Sequence, residues 1–284
     1  MRGSAALIAS AVCLTALTPT AAGARAPVPG SSCRAFPADN VWNMDVSKLP
    51  VNPKNQVWKR SMHVGSTLLH PDFGPPAYGM PYDVVPGSHP KVHVRFTYAD
   101  ESDPGPYPFG PDIHVEGGSD RHAIMIDRDT CVLYELYAAS WSGGNPTAGS
   151  GAIFHLTGPD ANDLRPATWT SADAAGLPIF PGLVRWDEVK AGAIDHAIRF
   201  TASCTSQRFL WPARHQAGSG DPSCPPMGAR FRLKAGFREA GFSTDARVIL
   251  TAMKRYGLIV ADNGSDWYFQ GEVTGIGRTT CSTS

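Results

Sequence analysis

The chain has 284 residues, with 25 basic and 25 acidic side chains and a formal net charge of zero. A hydrophobic content of 42% supplies a packed core and excludes an intrinsically disordered chain, while the balanced charge gives no electrostatic basis for a nucleic-acid or anionic-membrane partner. Twenty-nine glycines and 25 prolines argue against a helical bundle and for short strands joined by many loops.

In chain order, Met1-Arg2 is followed by an apolar run from Ala5 to Leu17 and by Ala24-Arg25-Ala26, a small-x-small cleavage pattern. The run falls short of the roughly 20 apolar residues that span a bilayer, so residues 1–26 read as a signal peptide cut after Ala26. Residues 27–284 then form a single secreted domain, expected as a monomer with no membrane partner. Of the six cysteines, Cys13 leaves with the leader. Cys204 and Cys224 flank a Gly/Ser/Pro-rich loop and form the expected bridge, while Cys33 and Cys281 lie near the two ends of the mature chain and can meet there. That leaves Cys131 as a buried, inert thiol. No CxxC pair exists, which disfavours a cysteine zinc site.

Residues 27–60 read as irregular, anchored by Phe36, Val41 and Trp42. Residues 91–98 (KVHVRFTY) alternate as a half-buried strand. Residues 122–127 and 131–137 read as two strands separated by three turn residues, a hairpin. Residues 152–156 form another strand. Residues 166–188 are dense in Pro, Gly and aromatic residues and read as a structured loop packing over something. Further strands are expected over 194–201, 208–211 and 258–261. Ser243 to Tyr256 is a helix, capped by Ser243 and stopped by Gly257. The sum is a mainly β fold, a β-sandwich or jelly roll elaborated by long loops with one C-terminal helix; an α+β fold is the alternative.

No G-x-S-x-G elbow, HExxH, P-loop, Rossmann glycine pattern or EF-hand loop is present. The densest polar constellation spans 112–135. Asp112, His114 and Glu116 would share a face if this stretch were a strand, and His122 and Asp127 follow. In the run CVLYELY, alternation puts Cys131, Leu133 and Glu135 on one face. A carboxylate in so apolar a strand is either paired or works as an acid in a cleft. Tyr134, Tyr137 and Trp141 lie close by, with Trp169, Trp186 and Trp211 further on. Aromatic faces beside carboxylates suit a sugar-binding groove, although such rings also pack ordinary cores. Downstream come Asp173, Arg185, His196, Arg199 and His215. His122, His196 and His215 arise from three segments without diagnostic metal spacing; if they converge they suit a divalent metal, and otherwise no cofactor is expected.

The runs FPADNVWN (36–43), DPGPYPFGPDIHVEGGSDRHAIMID (103–127), CVLYELYAA (131–139), TSADAAGLPIFPGLVRWDEV (170–189), HAIRFT (196–201), WPARH (211–215), PPMGARFRLKA (225–235) and RYGLIVADNGS (255–265) resemble a family of secreted bacterial proteins with members in soil organisms. The resemblance covers most of residues 27–284. It implies a single-domain secreted protein and carries no catalytic residue.

Export, a strand-rich scaffold, clustered acids and interleaved aromatics point to a carbohydrate-active enzyme on an extracellular polysaccharide. As a glycoside hydrolase, Glu135 would be the proton donor and Asp112 or Asp127 the base or nucleophile. As a polysaccharide lyase, His122 or His196 would take the proton, and Arg199 or Arg185 would neutralise the substrate carboxylate. Trp141, Tyr137, Asp173, Arg185, Arg199 and His215 would line the substrate. A non-catalytic glycan or cell-wall binding protein and a metal-dependent extracellular hydrolase are the alternatives.

Overall fold

The computed structural model describes residues 26–73 and 78–273. The expected leader, apart from Ala26, and Cys281 lie outside the described residues. Strand residues outnumber helical ones, 23% to 16%, so the fold is mainly β. The strands are β1 (His70–Asp72), β2 (Asp83–Val85), β3 (Arg95–Phe96), β4 (Ala123–Asp127), β5 (Val132–Tyr137), β6 (Ser140–Ser142), β7 (Asn145–Ala148), β8 (Ser150–His155), β9 (Ile198–Ala202), β10 (Arg230–Phe231), β11 (Leu258–Asn263) and β12 (Tyr268–Gln270). The α-helices are α1 (Asn55–Ser61), α2 (Trp186–Ala191) and α3 (Thr244–Arg255).

Three mixed sheets result: five strands in the order β1-β12-β9-β11-β10, four in the order β2-β4-β5-β8, and three in the order β3-β7-β6. The hairpin of β4 and β5 forms as its alternation predicts. One face of it, with Ile124, Ile126 and Leu133, joins the larger core together with Ile198, Phe200 and Val260 of the five-stranded sheet. The opposite face, with Met125, Tyr134 and Leu136, builds a second core with Tyr107, Phe109 and Ala148. The helix α3 also matches its sequence signals. The Ser243 hydroxyl accepts the Ala246 N–H at 3.2 Å, and Gly257, at φ +76°, takes the left-handed turn that ends the run.

Segment 170–184 lies between the two larger sheets. Toward the four-stranded sheet, the Ser150 hydroxyl donates to the Ser171 carbonyl, and the Ile179 and Phe180 amides donate to the Glu135 carboxylate. Toward the five-stranded sheet, the Ala175 amide donates to the Ala261 carbonyl and the Val184 amide to the Gln270 carbonyl, both at 3.0 Å. Small residues permit this close passage. A Cβ added to Gly182 would stand 2.8 Å from the Trp42 ring and 2.9 Å from the Arg199 Cβ.

Elsewhere the sequence expectations shift. Residues 91–98 alternate in burial as predicted, but only Arg95–Phe96 pairs as a strand, because Val92 exchanges its backbone bonds with loop residue Tyr107. Residues 208–211 yield one bridge, Phe209 to Met227. Phe36, Val41 and Trp42 are buried anchors as expected, yet residues 27–60 also hold a 3-10 turn over Val41–Asn43 and the short helix α1.

The cysteines need a correction. Cys204 bonds Cys224 as expected, but Cys33 bonds Cys131 rather than Cys281, so Cys131 is no free thiol. Its backbone stands at φ +56°, outside the strand that follows, beside the N-terminal segment. The Cys33–Cys131 bridge spans 98 residues and the Cys204–Cys224 bridge 20. By chain entropy the longer loop contributes about 4–5 kcal/mol against about 3 kcal/mol for the shorter. Removing the Cys33–Cys131 pair by double serine substitution should therefore lower the urea midpoint further than removing the other pair. Equal losses would contradict a stabilisation set by loop length.

Candidate functional site

The register of the five-stranded sheet sets a row of polar groups on one face. Asp72 pairs with Gln270 across β1 and β12, and Phe269 pairs with Phe200 across β12 and β9, which brings Gln270 beside Arg199. Period-2 alternation then puts His70, Asp72, Tyr268, Gln270, Arg199 and Thr201 on the same side. Phe200 points the other way, against Trp267 and Phe231.

Asp262 reaches the polar side through a bulge. The pairing of β11 with β9 runs Leu258–Ile198, Ile259–Arg199 and Val260–Phe200, then slips so that Asp262 rather than Ala261 pairs with Thr201. Without the slip Asp262 would share the Val260 side and face the core. One extra residue re-aims it toward Arg199, a common use of a bulge.

Arg199 is the centre of the cluster. It is fully buried, and its Nη2 lies 2.9 Å from Asp173 Oδ2 and 3.8 Å from Asp262 Oδ2. Asp173 arrives on segment 170–184 and is equally enclosed. From the facing sheet come Glu135 and His122, both buried. The His122 ring has Nδ1 2.6 Å from Glu116 Oε2 and Nε2 3.1 Å from the Ala172 carbonyl. With oxygen atoms at both nitrogens, the surroundings favour the charged form of the ring.

The acids of this cluster are driven apart in proton affinity. Burial pushes Glu135 up to about 7, against the opposing pull of the Phe180 and Ile179 amides and the charges of Arg199 and His122. Burial likewise raises Asp173 and Asp262, with Arg199 opposing in both. Asp72 is raised by burial, opposed by a hydrogen bond from the Gln270 side chain and reinforced by the charge of Glu116. Glu116 moves the other way. Burial is its largest influence and an upward one, but the hydrogen bond and charge of His122 outweigh it and hold Glu116 below its ordinary value. Burial pulls His122 down, and the hydrogen bond and charge of Glu116 overcome that and raise it. Glu116 keeps 17% of its side chain exposed and Asp262 keeps 21%, so an acid shifted upward and one shifted downward both reach solvent.

Comparison with protein-family models, curated proteins and solved structures finds no match. The site is therefore read from its own geometry.

Of the residues singled out in the sequence, the structure gathers Glu135, His122, Asp173 and Arg199. Tyr137 stands at their edge, on the same face of β5 as Glu135. The others lie elsewhere. Asp127 is on the opposite face of the hairpin from Glu135. There it bonds Lys91 Nζ at 3.1 Å and accepts the Asp129 and Thr130 amides at the turn, so it cannot act beside Glu135. Asp112, His114 and Glu116 do not share a strand face; the segment is irregular, and they bond His89, Asp83 and His122 respectively. Trp141 packs edge-on to Phe109 in the second core, 5.7 Å between ring centroids, away from Glu135. His196 bonds Glu188 at 3.0 Å, and Glu188 also holds Arg185. His215 Nδ1 meets the Ala174 carbonyl at 2.8 Å, on segment 170–184.

The three histidines thus have separate partners instead of one metal centre. Among the described residues, the group of His, Cys, Asp or Glu that brings three ligand atoms within 4.8 Å of one another is Cys204, Asp221 and Cys224, whose two sulfurs are bonded to each other. Asp262, Glu116 and Asp72 complete the cluster. The sequence gives Glu116 as one of an alternating set with Asp112 and His114, without a role of its own, and gives no signal for Asp72 or for the bulge that aims Asp262.

Glu135 has a pH signature. Its folded pKa lies above its ordinary 4.5, so the folded state binds the proton more tightly. The stabilisation it provides is complete below pH 4.5 and lost as pH rises through about 7. Glu135→Gln should flatten the fall in stability across that window by about one proton. Asp72, Asp173 and Asp262 remain as sources of a slope of the same sign. Urea titrations at half-unit pH steps measure it; an unchanged slope would mean that Glu135 is ionised throughout.

Proposed function

We propose that the protein is a secreted hydrolase of an extracellular glycan, with Asp262 as proton donor and Glu116 as base. The observation that supports this most is the pair of solvent-reaching carboxylates pushed to opposite proton affinities around the Arg199–His122 core. Asp262 gives its proton to the glycosidic oxygen as the bond to the leaving sugar breaks. Glu116 takes the proton of the water that attacks the anomeric carbon. His122 holds Glu116 in place and ionised, and Arg199 fixes Asp262 from beneath. Glu135, fully enclosed, is a positioning residue that fastens segment 170–184 and with it Asp173.

Hydrolysis is favoured over the elimination chemistry of a lyase. An elimination needs the uronate carboxylate neutralised, and the two arginines singled out for that task are both engaged. Arg199 is enclosed between two aspartates, and Arg185 is buried with Glu188. Export is supported by the leader pattern, by the resemblance to secreted bacterial proteins, and by two disulfides, which persist in oxidising compartments. Among the described residues, no helix is long and apolar enough to cross a membrane.

The decisive variant is Asp262→Asn, close in shape and unable to donate an acidic proton. Release of new reducing ends from a panel of soluble cell-wall and soil polysaccharides should fall by about 10²–10⁴-fold with folding unchanged. Full turnover in the variant would remove Asp262 as the acid.

A further inference from the structure

A net charge of zero hides a segregation of charge. Segments 44–60 and 230–255 hold 11 of the 25 basic side chains and only three of the 25 acidic ones, Asp45, Glu239 and Asp245. The fold brings these segments together. The Val46 amide donates to the Arg255 carbonyl at 2.8 Å, and the Arg230 and Arg232 guanidiniums donate to the Met44 and Leu49 carbonyls at 3.0 and 2.7 Å. Two of the three acids are already paired, Asp45 with Arg255 and Glu239 with Lys254. Lys48, Lys54, Lys234, Arg238 and Arg247 stay exposed, so this part of the surface is positive.

A cleft of about 280 Å³ opens here, between α3 and residues 192–195. That is close to the lower end of the roughly 300–1,000 Å³ of small-ligand sites, the scale of one sugar ring. Arg247 and Arg255 line its α3 wall, about 12 Å apart along the helix axis, with Thr251 between them. The Arg247 side chain and the hydroxyls of Thr244 and Thr251 meet no partner among the described residues. Asp195, also in the lining, accepts the Tyr256 hydroxyl through Oδ1 at 3.3 Å, and its Oδ2 meets no donor there. An unpaired guanidinium, two hydroxyls and a carboxylate oxygen around a concave space suit a ring that carries hydroxyls and one negative group. The positive surroundings favour a chain that repeats that negative group.

We propose that this cleft binds an acidic sugar of a polyanionic glycan, with Arg247 pairing the sugar carboxylate and the basic face attracting the neighbouring residues. None of its lining residues belongs to the Arg199 cluster, so it is a second contact for the polymer. It rests on the hydrolase reading for its place in the reaction but not for its test, which reads binding alone. A flat anionic bilayer would reach the exposed cations and leave the cleft unused. An acidic peptide would bring carboxylates without ring hydroxyls for Thr244, Thr251 and Asp195.

The test is calorimetric titration of the full chain with soluble hexamers of galacturonic acid, of N-acetylglucosamine and of glutamate, alongside sedimentation with phosphatidylglycerol vesicles. The galacturonate hexamer should bind about tenfold tighter than either of the others. Arg247→Gln should weaken it about tenfold with the urea midpoint unchanged, because Arg247 is exposed and unpaired. Arg238→Gln, exposed on the same face outside the cleft, should weaken it less than about threefold. Ala193→Trp, which fills the cleft, should match the loss from Arg247→Gln. Equal affinity for the galacturonate and neutral hexamers, tighter binding of the glutamate hexamer, or equal losses from the Arg247 and Arg238 variants would each overturn the cleft. So would vesicle binding without binding of the galacturonate hexamer. Binding as expected without release of reducing ends from polygalacturonate would count against hydrolysis and leave the cleft standing.

Discussion

The buried contact between Arg199 and Asp173 is the constraint on which the two-sheet arrangement turns. An arginine with no exposed surface is costly unless its charge is met, and this one is met by a residue that belongs to neither sheet. Asp173 sits on segment 170–184, so pairing it with β9 fixes that segment against the five-stranded sheet. Glu135 fixes the same segment against the four-stranded sheet by accepting the Ile179 and Phe180 amides. The layer between the sheets is therefore held by a charge on one side and a carboxylate with two backbone donors on the other. The apolar residues of the segment, Leu177, Ile179, Phe180 and Leu183, are buried as a consequence.

The same device creates the chemistry. Enclosing Arg199, Asp173 and Glu135 lowers the local polarity, and that raises the carboxyl groups nearby. Because the two cations are used up inside, the groups left at the surface are acids whose proton affinities differ. The pairing of Glu116 with His122 holds Glu116 below its ordinary value, whereas burial raises Asp262 against the pull of Arg199. Structural burial and reactive capacity come from one cluster, not from a rigid scaffold with a separate site laid upon it.

Much of this is legible in the sequence where local rules act. The β4–β5 hairpin follows from alternation and a three-residue turn, α3 from Ser243 and Gly257, and the inward face of Glu135 from its place in CVLYELY. The density of small and aromatic residues over 166–188 marks a structured loop. Nothing in those residues says that it runs between two sheets, since that depends on the contact of Asp173 with Arg199, which only the tertiary structure makes. Asp127 does not partner Glu135, because proximity in the chain does not fix the face; it lies eight residues before Glu135, across a turn, and points the other way. Asp262 is hidden by its bulge, which reverses the facing that alternation assigns it. Asp72 stands in a three-residue strand too short to carry a pattern. The pairing of Cys33 with Cys131 required the turn at Cys131 to take positive φ, which the run of strand-forming residues around it conceals.

A double-mutant cycle on Arg199 and Asp173, read as unfolding free energy in urea, tests this account most directly. Arg199→Met should cost about 3–5 kcal/mol, because it leaves Asp173 buried without its partner. Adding Asp173→Asn to that variant should recover a large part of the loss, with a coupling energy above about 1 kcal/mol. Additive losses would contradict the claim that this pair ties the interlayer segment to the sheet.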